Sequence, residues 1–282
     1  MYLAHFGLRE PPFALTPDTS FFCNRGSHHE ALNVLMVALR SGEGFIKITG
    51  EVGTGKTLLC RQLLNSLDDS HYSAYIPNPF LGANALRMAL ADELGIAYQR
   101  NAGQHRLSQQ LNARLVELAR EGKRTVLLVD EVQAMPAETL EALRLLSNLE
   151  TETHKLLQLV IFGQPELDQR LAEPGLRQLR SRIAFSHRLR PLDRAGLADY
   201  LRYRLQAAGY QGEPLFEPRA EGLLLRGSRG IPRLVNILAH KALMAAFGEG
   251  RSRVRAAHVR RAIIDTDDAS PAGWFARLGW SR

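Results

Sequence analysis

The run Gly50-Glu51-Val52-Gly53-Thr54-Gly55-Lys56-Thr57 carries the strongest chemical signal in the chain. It matches G-x-x-x-x-G-K-[ST], the spacing of a phosphate-binding loop. Glycines let the backbone curl so that successive amide N–H groups point inward at phosphate oxygens. A helix opening at Lys56 aims its positive end at the same place. Lys56 adds a point charge for β- and γ-phosphates, and the Thr57 hydroxyl is a magnesium ligand. The binding stretch is read as Gly50 through Leu58.

Four further groups could complete such a site. The apolar run Val126–Val129 ends in Asp130-Glu131. A carboxylate at a strand tip beside a phosphate loop can hold the metal, which suits Asp130. Its neighbour Glu131 can act as general base on a water molecule. Gln164 follows the apolar run Leu156–Phe162 and could orient that water or touch a γ-phosphate; a loop glutamine with local hydrogen bonds is the plainer alternative. Arg177, Arg180 and Arg182 cluster before a short strand. An arginine at a subunit edge can reach a neighbour's phosphate and stabilise developing charge. A solvated basic face accounts better for Arg177, and the two readings are level for Arg180 and Arg182. Last, Arg233 in Gly230-Ile231-Pro232-Arg233 opens a helix. A cation is slightly unfavourable there, and a role over bound phosphates would explain it.

The elements that must position these residues alternate. Strands are expected at Gly44–Thr49, Ser73–Ile76, Thr125–Val129, Leu156–Phe162 and Ile183–Leu189. Helices are expected at 27–40, with Ser27 and Glu30 as a capping box, and at Lys56–Leu67, Asn84–Leu94, Gln104–Arg120 and Pro136–Glu150. Continuous apolar runs such as Thr125–Val129 suit strands buried on both faces, so the pattern predicts an α/β fold with a parallel sheet flanked by helices. After Pro191 only helical patterns follow, at Asp193–Ala208, Glu217–Arg226, Pro232–Phe247 and Arg255–Ile264. The expected organisation is an α/β domain over 1–190, a small helical lid over 191–265, and a linker with an aromatic tail (Trp274, Phe275, Trp280) over 266–282.

Composition excludes several classes. Among 282 residues, 45% are hydrophobic and 23% charged, ordinary globular values that argue against disordered, collagen-like or coiled-coil chains. No apolar run is long enough to span a membrane, and no secretory leader is visible at the N-terminus. Cys23 and Cys60 form neither a metal spacing nor a disulfide framework, which makes a reducing cytoplasm the default. The net charge of +7 is uneven, with nine arginines against three acids between Arg170 and Arg204. Residues 219–261 hold ten basic side chains against two acids.

Taken in order, the phosphate loop, Asp130-Glu131, Gln164, Ser181-Arg182 and Gly-Ile-Pro-Arg233 resemble the AAA+ ATPases. More narrowly, Phe6-Gly-Leu-Arg-Glu-Pro-Pro-Phe13, Thr16-Pro-Asp18, His29-Glu-Ala-Leu32, Gly42-Glu-Gly-Phe45, Asp130-Glu-Val-Gln133 and Phe162-Gly-Gln-Pro-Glu-Leu167 resemble the general secretion pathway protein A (ExeA/GspA) type. The resemblance covers about residues 1–265. It implies an AAA+ P-loop fold with ATP and Mg2+ as cofactors, Lys56 on the phosphates, Thr57 and Asp130 on the metal, and Glu131 activating water. Gln164 becomes sensor 1, where Asn or Thr is commoner. Arg182 best matches an arginine finger acting in trans, with Arg180 in reserve, and Arg233 matches sensor 2. The segment around Pro11–Phe13 would lie near the adenine. Secretion members continue into a membrane span and a periplasmic domain; neither is visible here, and a chain of this length is similar to the ATPases of MSHA type IV pilus biogenesis.

The resemblance therefore implies a cytoplasmic, nucleotide-dependent homo-oligomer serving an inner-membrane pilus or secretion apparatus, with the aromatic tail available for peripheral membrane contact. Two alternatives stand beside it. One is a DNA-dependent AAA+ protein of the transposition-regulator or initiator-loader type, which the basic second domain would suit. It is less favoured, because no zinc finger, clear helix-turn-helix or third domain is visible. The other is a scaffold that uses ATP only to assemble, which the intact Asp130-Glu131 pair argues against.

Overall fold

Five parallel strands organise the larger of two units. The computed structural model describes residues 2–77, 80–98, 104–151 and 155–270. In chain order its first elements are α1 (Tyr2–Phe6), α2 (Gly26–Arg40), β1 (Phe45–Thr49), α3 (Lys56–Ser66), β2 (His71–Ile76), α4 (Ala83–Glu93), α5 (Gln104–Arg120), β3 (Arg124–Val129) and α6 (Ala137–Leu146). Then come β4 (Leu157–Gly163), α7 (Glu166–Leu171), α8 (Arg177–Arg180), β5 (Phe185–Arg188), α9 (Arg194–Ala207), α10 (Pro218–Ser228), α11 (Pro232–Gly248) and α12 (Ala256–Ile264). No helix among the described residues is long and apolar enough to cross a membrane.

The α/β unit comprises residues 27–52 and 56–189. Its strands run in the order β2-β3-β4-β1-β5, every pair parallel. All seven residues of β4 and the last five of β3 are buried, as expected for the middle of a sheet covered on both faces. At the edge, β5 alternates between half-buried and exposed positions. The register Thr49↔Gly163 and Val129↔Ile161 brings the carboxyl ends of β1, β3 and β4 side by side. In open α/β sheets that end is where ligands bind.

Among the described residues, the second unit comprises 2–26, 53–55 and 190–270. Its helices α9–α12 pack around Leu197, Leu201, Leu224, Val235, Leu238 and Leu243. Asp193 caps α9 by accepting a hydrogen bond from the Gly196 N–H at 2.7 Å. The N-terminal residues 1–26, which the sequence places with the α/β domain, join these helices instead. The reason is apolar burial: Phe6, Leu8, Phe13 and Phe21 enter the helical core. Each aromatic ring so buried contributes about 1.5–3 kcal/mol. Arg204 also reaches across within this unit, donating to Pro12 O at 2.6 Å and Ala14 O at 3.2 Å.

Most elements lie within one to three residues of their predicted limits. Helix α2 begins at Gly26, so Ser27 sits inside the first turn rather than at its cap. Helix α6 stops at Leu146, four residues short of Glu150. The short helices α1, α7 and α8 were not expected, because four to six residues hold too little periodicity to be read. Trp274, Phe275 and Trp280 lie outside the described residues.

Candidate nucleotide site

The phosphate loop leaves β1 and enters α3, the strand-to-helix context its sequence demands. Gly53 and Gly55 have φ of 81° and 96°, a region that side-chain-bearing residues avoid. A Cβ on Gly53 would also come within 2.8 Å of Arg233 Cβ. Arg233 itself opens α11, with its backbone N–H donating to Gly53 O at 3.1 Å and its side chain exposed.

Lys56 is only 5% exposed. Its ammonium donates to Gly50 O at 2.7 Å and Glu51 O at 3.1 Å. Burial pulls its pKa down, opposed by the nearby charges of Glu131 and Asp130. Among the described residues no carboxylate lies within ion-pairing distance of Nζ. A buried cation satisfied only by carbonyl oxygens is well suited to an anionic ligand.

Asp130 follows β3 and is 2% exposed. Its carboxylate accepts the Thr57 hydroxyl at 2.6 Å and the Glu131 N–H at 2.9 Å. Burial raises its pKa, and the Thr57 hydrogen bond opposes that rise. A hydroxyl and a desolvated carboxylate in contact form a hard oxygen pair, the donor chemistry that Mg2+ takes when the rest of its shell is water and phosphate. Thr57 and Asp130 therefore fit the metal implied by the loop.

Glu131 holds left-handed backbone angles, φ 53° and ψ 35°. Such a conformation costs a non-glycine residue about 1–3 kcal/mol and persists only where neighbours enforce it. The neighbours are visible. Gln133 Nε2 donates to Glu131 Oε2 at 2.5 Å, and Gln164 Nε2 donates to the same oxygen at 3.1 Å. Gln164 N–H in turn donates to Gln133 Oε1 at 3.0 Å. Arg170 of α7 donates to Gln133 O at 2.6 Å. On the same helix Asp168 pairs with Lys47 of β1.

The α/β unit thus brings together Lys56, Thr57, Asp130, Glu131 and Gln164. Arg177, Arg180 and Arg182 are exposed on and just after α8, and none pairs through its side chain with another described residue. Two residues assigned no role from sequence enter the site. One is Gln133. The other is Arg188 at the end of β5, 3.6 Å from Glu51 of the loop. For Gln133 the hints were its place two residues after Glu131 and in the Asp130-Glu-Val-Gln133 segment of the resemblance, neither of which assigned it a role; for Arg188 there was none, because its strand meets β1 only through the crossover.

A parallel sheet in this order, with a phosphate loop after β1, carboxylates after β3, a polar residue after β4 and helices to follow, is the AAA+ P-loop NTPase fold. Residues 39–171 match the AAA domain family AAA_22. Over 254 residues the chain is 45% identical to general secretion pathway protein A of Aeromonas hydrophila, covering 90% of this chain and 46% of that protein. The chain thus spans less than half the length of this curated relative. Among solved structures, the Aeropyrum pernix ORC2 protein aligns with a TM-score of 0.64 at 19% identity, covering 92% of this chain and 71% of that one. The Thermotoga maritima RuvB Holliday junction branch migration motor aligns with a TM-score of 0.57 at 17% identity, covering 87% and 72%. At these identities the two structures speak for the fold alone.

Proposed function

We propose that this chain binds ATP with Mg2+, hydrolyses it, and serves the biogenesis of an MSHA-type IV pilus or a type II-like secretion apparatus. The observation that carries the hydrolytic part is the Glu131 carboxylate, held on one oxygen by two amides beside the Thr57–Asp130 pair. The 45% identity to a general secretion pathway protein supports the cellular part.

Lys56 and the amides of Gly50–Leu58 bind the phosphates. Thr57 and Asp130 would hold Mg2+, which supplies charge neutralisation at the β- and γ-phosphate oxygens. Glu131 accepts the proton of the attacking water, and Gln164 keeps that carboxylate oriented. Arg182, with Arg180 in reserve, reaches a neighbouring subunit's γ-phosphate, and Arg233 senses the phosphates from the helical unit. Catalysis is then mostly positioning and charge stabilisation. The working form is a nucleotide-dependent homo-oligomer in the cytoplasm, peripheral at the inner membrane.

Lys56→Ala is expected to weaken ATP binding about 10- to 100-fold, the loss of a charge-assisted contact of 1.5–3 kcal/mol. Titration with a fluorescent ATP analogue measures it; unchanged affinity would remove Lys56 from the phosphates. The shared site is tested by turnover against protein concentration. Turnover per subunit should rise with assembly and collapse in Arg182→Ala or Arg180→Ala. A proven monomer at full rate, insensitive to both substitutions, sinks the trans arrangement.

A further inference from the structure

Gln133 uses its whole side-chain amide within the candidate site. Its nitrogen donates to Glu131 Oε2 and its oxygen accepts from the Gln164 N–H. It therefore ties the end of β3 to the end of β4 through one planar group. The backbone carbonyl of the same residue is held by Arg170 at 2.6 Å, which fastens the bridge to α7. That helix is fastened to β1 by Asp168 and Lys47.

This bridge has two consequences for Glu131. Its Oε2 is occupied by two N–H donors, whereas Oε1 has no hydrogen bond to a described residue. The carboxylate is thus locked in one rotamer with one oxygen spare. Its backbone also sits in the left-handed region, a conformation that needs support from outside the residue. The Gln133 contact is one of its two side-chain supports, beside that from Gln164. A second feature limits what else can occupy this corner: a Cβ on Gly163 would lie 2.6 Å from Leu167 Cδ2 and 3.3 Å from Gln133 Oε1. The end of β4 thus packs directly on the Gln133 amide, and Gly163 leaves room for it.

We propose that Gln133 is a positioning residue for ATP hydrolysis: its amide locks the Glu131 carboxylate and the Gln164 backbone into one unit, so that Glu131 Oε1 alone faces the attacking water. The proposal rests on the reading of Glu131 as the base. Gln133 acts through Glu131 and Gln164, which take up the two ends of its amide. Binding of ATP does not depend on it, because Lys56, Thr57 and Asp130 make no hydrogen bond to Gln133.

The experiment compares wild type, Gln133→Met, Gln133→Glu, Glu131→Gln and the double variant Glu131→Gln with Gln133→Met, in the full chain. Gln133→Met keeps the length and removes both hydrogen bonds. Gln133→Glu keeps shape and the acceptor for Gln164, but removes the donor and sets a like charge on Glu131. Both are expected to lower kcat about 10- to 100-fold, as for displaced catalytic groups and their supports. The dissociation constant for ATP should stay within about twofold. In the Glu131→Gln background, Gln133→Met should cost nothing further, since the group it positions is gone. A kcat within about twofold of wild type in either single variant overturns the proposal, as does an equal loss of ATP affinity.

A readout independent of turnover separates this failure from failure of the base itself. The side-chain amide resonance of Gln133, assigned by its loss in Gln133→Met, should shift in Glu131→Ala. An unmoved resonance overturns the bridge. A shifted resonance with Glu131→Gln turning over like wild type instead removes Glu131 as base and leaves the bridge standing.

Discussion

Glu131→Gln is expected to bind ATP as the native chain does and to hydrolyse it about 10²- to 10⁴-fold more slowly, the range that general-base catalysis contributes. The substitution preserves size, and glutamine is no worse suited than glutamate to the left-handed backbone at this position. What changes is chemistry. Glu131 Oε2 accepts from Gln133 and Gln164, so a glutamine there keeps its oxygen toward those two donors. Its amide nitrogen then occupies the place of Oε1 and offers protons where a proton must be accepted. Lys56, Thr57 and Asp130 keep their own hydrogen bonds, which is why binding survives. Single-turnover hydrolysis beside equilibrium nucleotide binding measures the split. Equal turnover in the two proteins takes Glu131 out of the reaction.

The second large effect lies far from the phosphate loop in chemistry. Arg204 is 5% exposed and forms no ion pair among the described residues. Its guanidinium is satisfied by Pro12 O, Ala14 O and the Tyr200 hydroxyl, and it stacks 4.7 Å above the Phe21 ring. Arg204→Ala leaves the buried Pro12 carbonyl and the part-buried Ala14 carbonyl without this donor and opens a cavity beside Phe21. The orphaned Pro12 carbonyl costs about 1–3 kcal/mol, and the Ala14 carbonyl, reachable by water, costs less. Loss of the stacked cation adds about 1–2 kcal/mol more. Relief of a buried charge with no counter-ion offsets part of this, so a net loss of about 3–5 kcal/mol is expected. Arg204→Lys should fall between, because a point charge cannot reproduce the fork. Urea unfolding followed by hydrogen exchange on residues 8–22 reads both quantities. An unchanged midpoint with unchanged protection of that segment would show that Arg204 does not hold it.

These two residues illustrate what could be read in advance. Glu131 was legible as a candidate because the role proposed for it needs only a place at the tip of an apolar strand after a glycine-rich loop. The central strands were legible for a related reason: Val126–Val129 and Leu157–Phe162 are buried on both faces, and burial of that kind leaves unbroken apolar runs. Arg204 looked like one of nine arginines in a basic stretch. Its burial depends on residues nearly two hundred positions earlier, a separation that no local pattern records. The same holds for Gln133, whose partner Gln164 lies 31 positions away. Part of the uneven basic charge is accounted for in this way. Arg204 serves the fold, Arg170 serves the site and Arg188 pairs with Glu51.

By itself the sequence determined the α/β class, the glycine-rich loop between β1 and α3 and the carboxylates after β3, because each follows from residue types at short spacing. Tertiary structure decided three other things. It assigned residues 1–26 to the helical unit, since Phe6, Leu8, Phe13 and Phe21 find apolar partners there. It bonded the ends of β3 and β4 through Gln133, because sheet order, not chain order, makes those ends neighbours. And it turned Glu131 into a strained, doubly tethered carboxylate, a state set by donors that only the folded chain delivers to one oxygen.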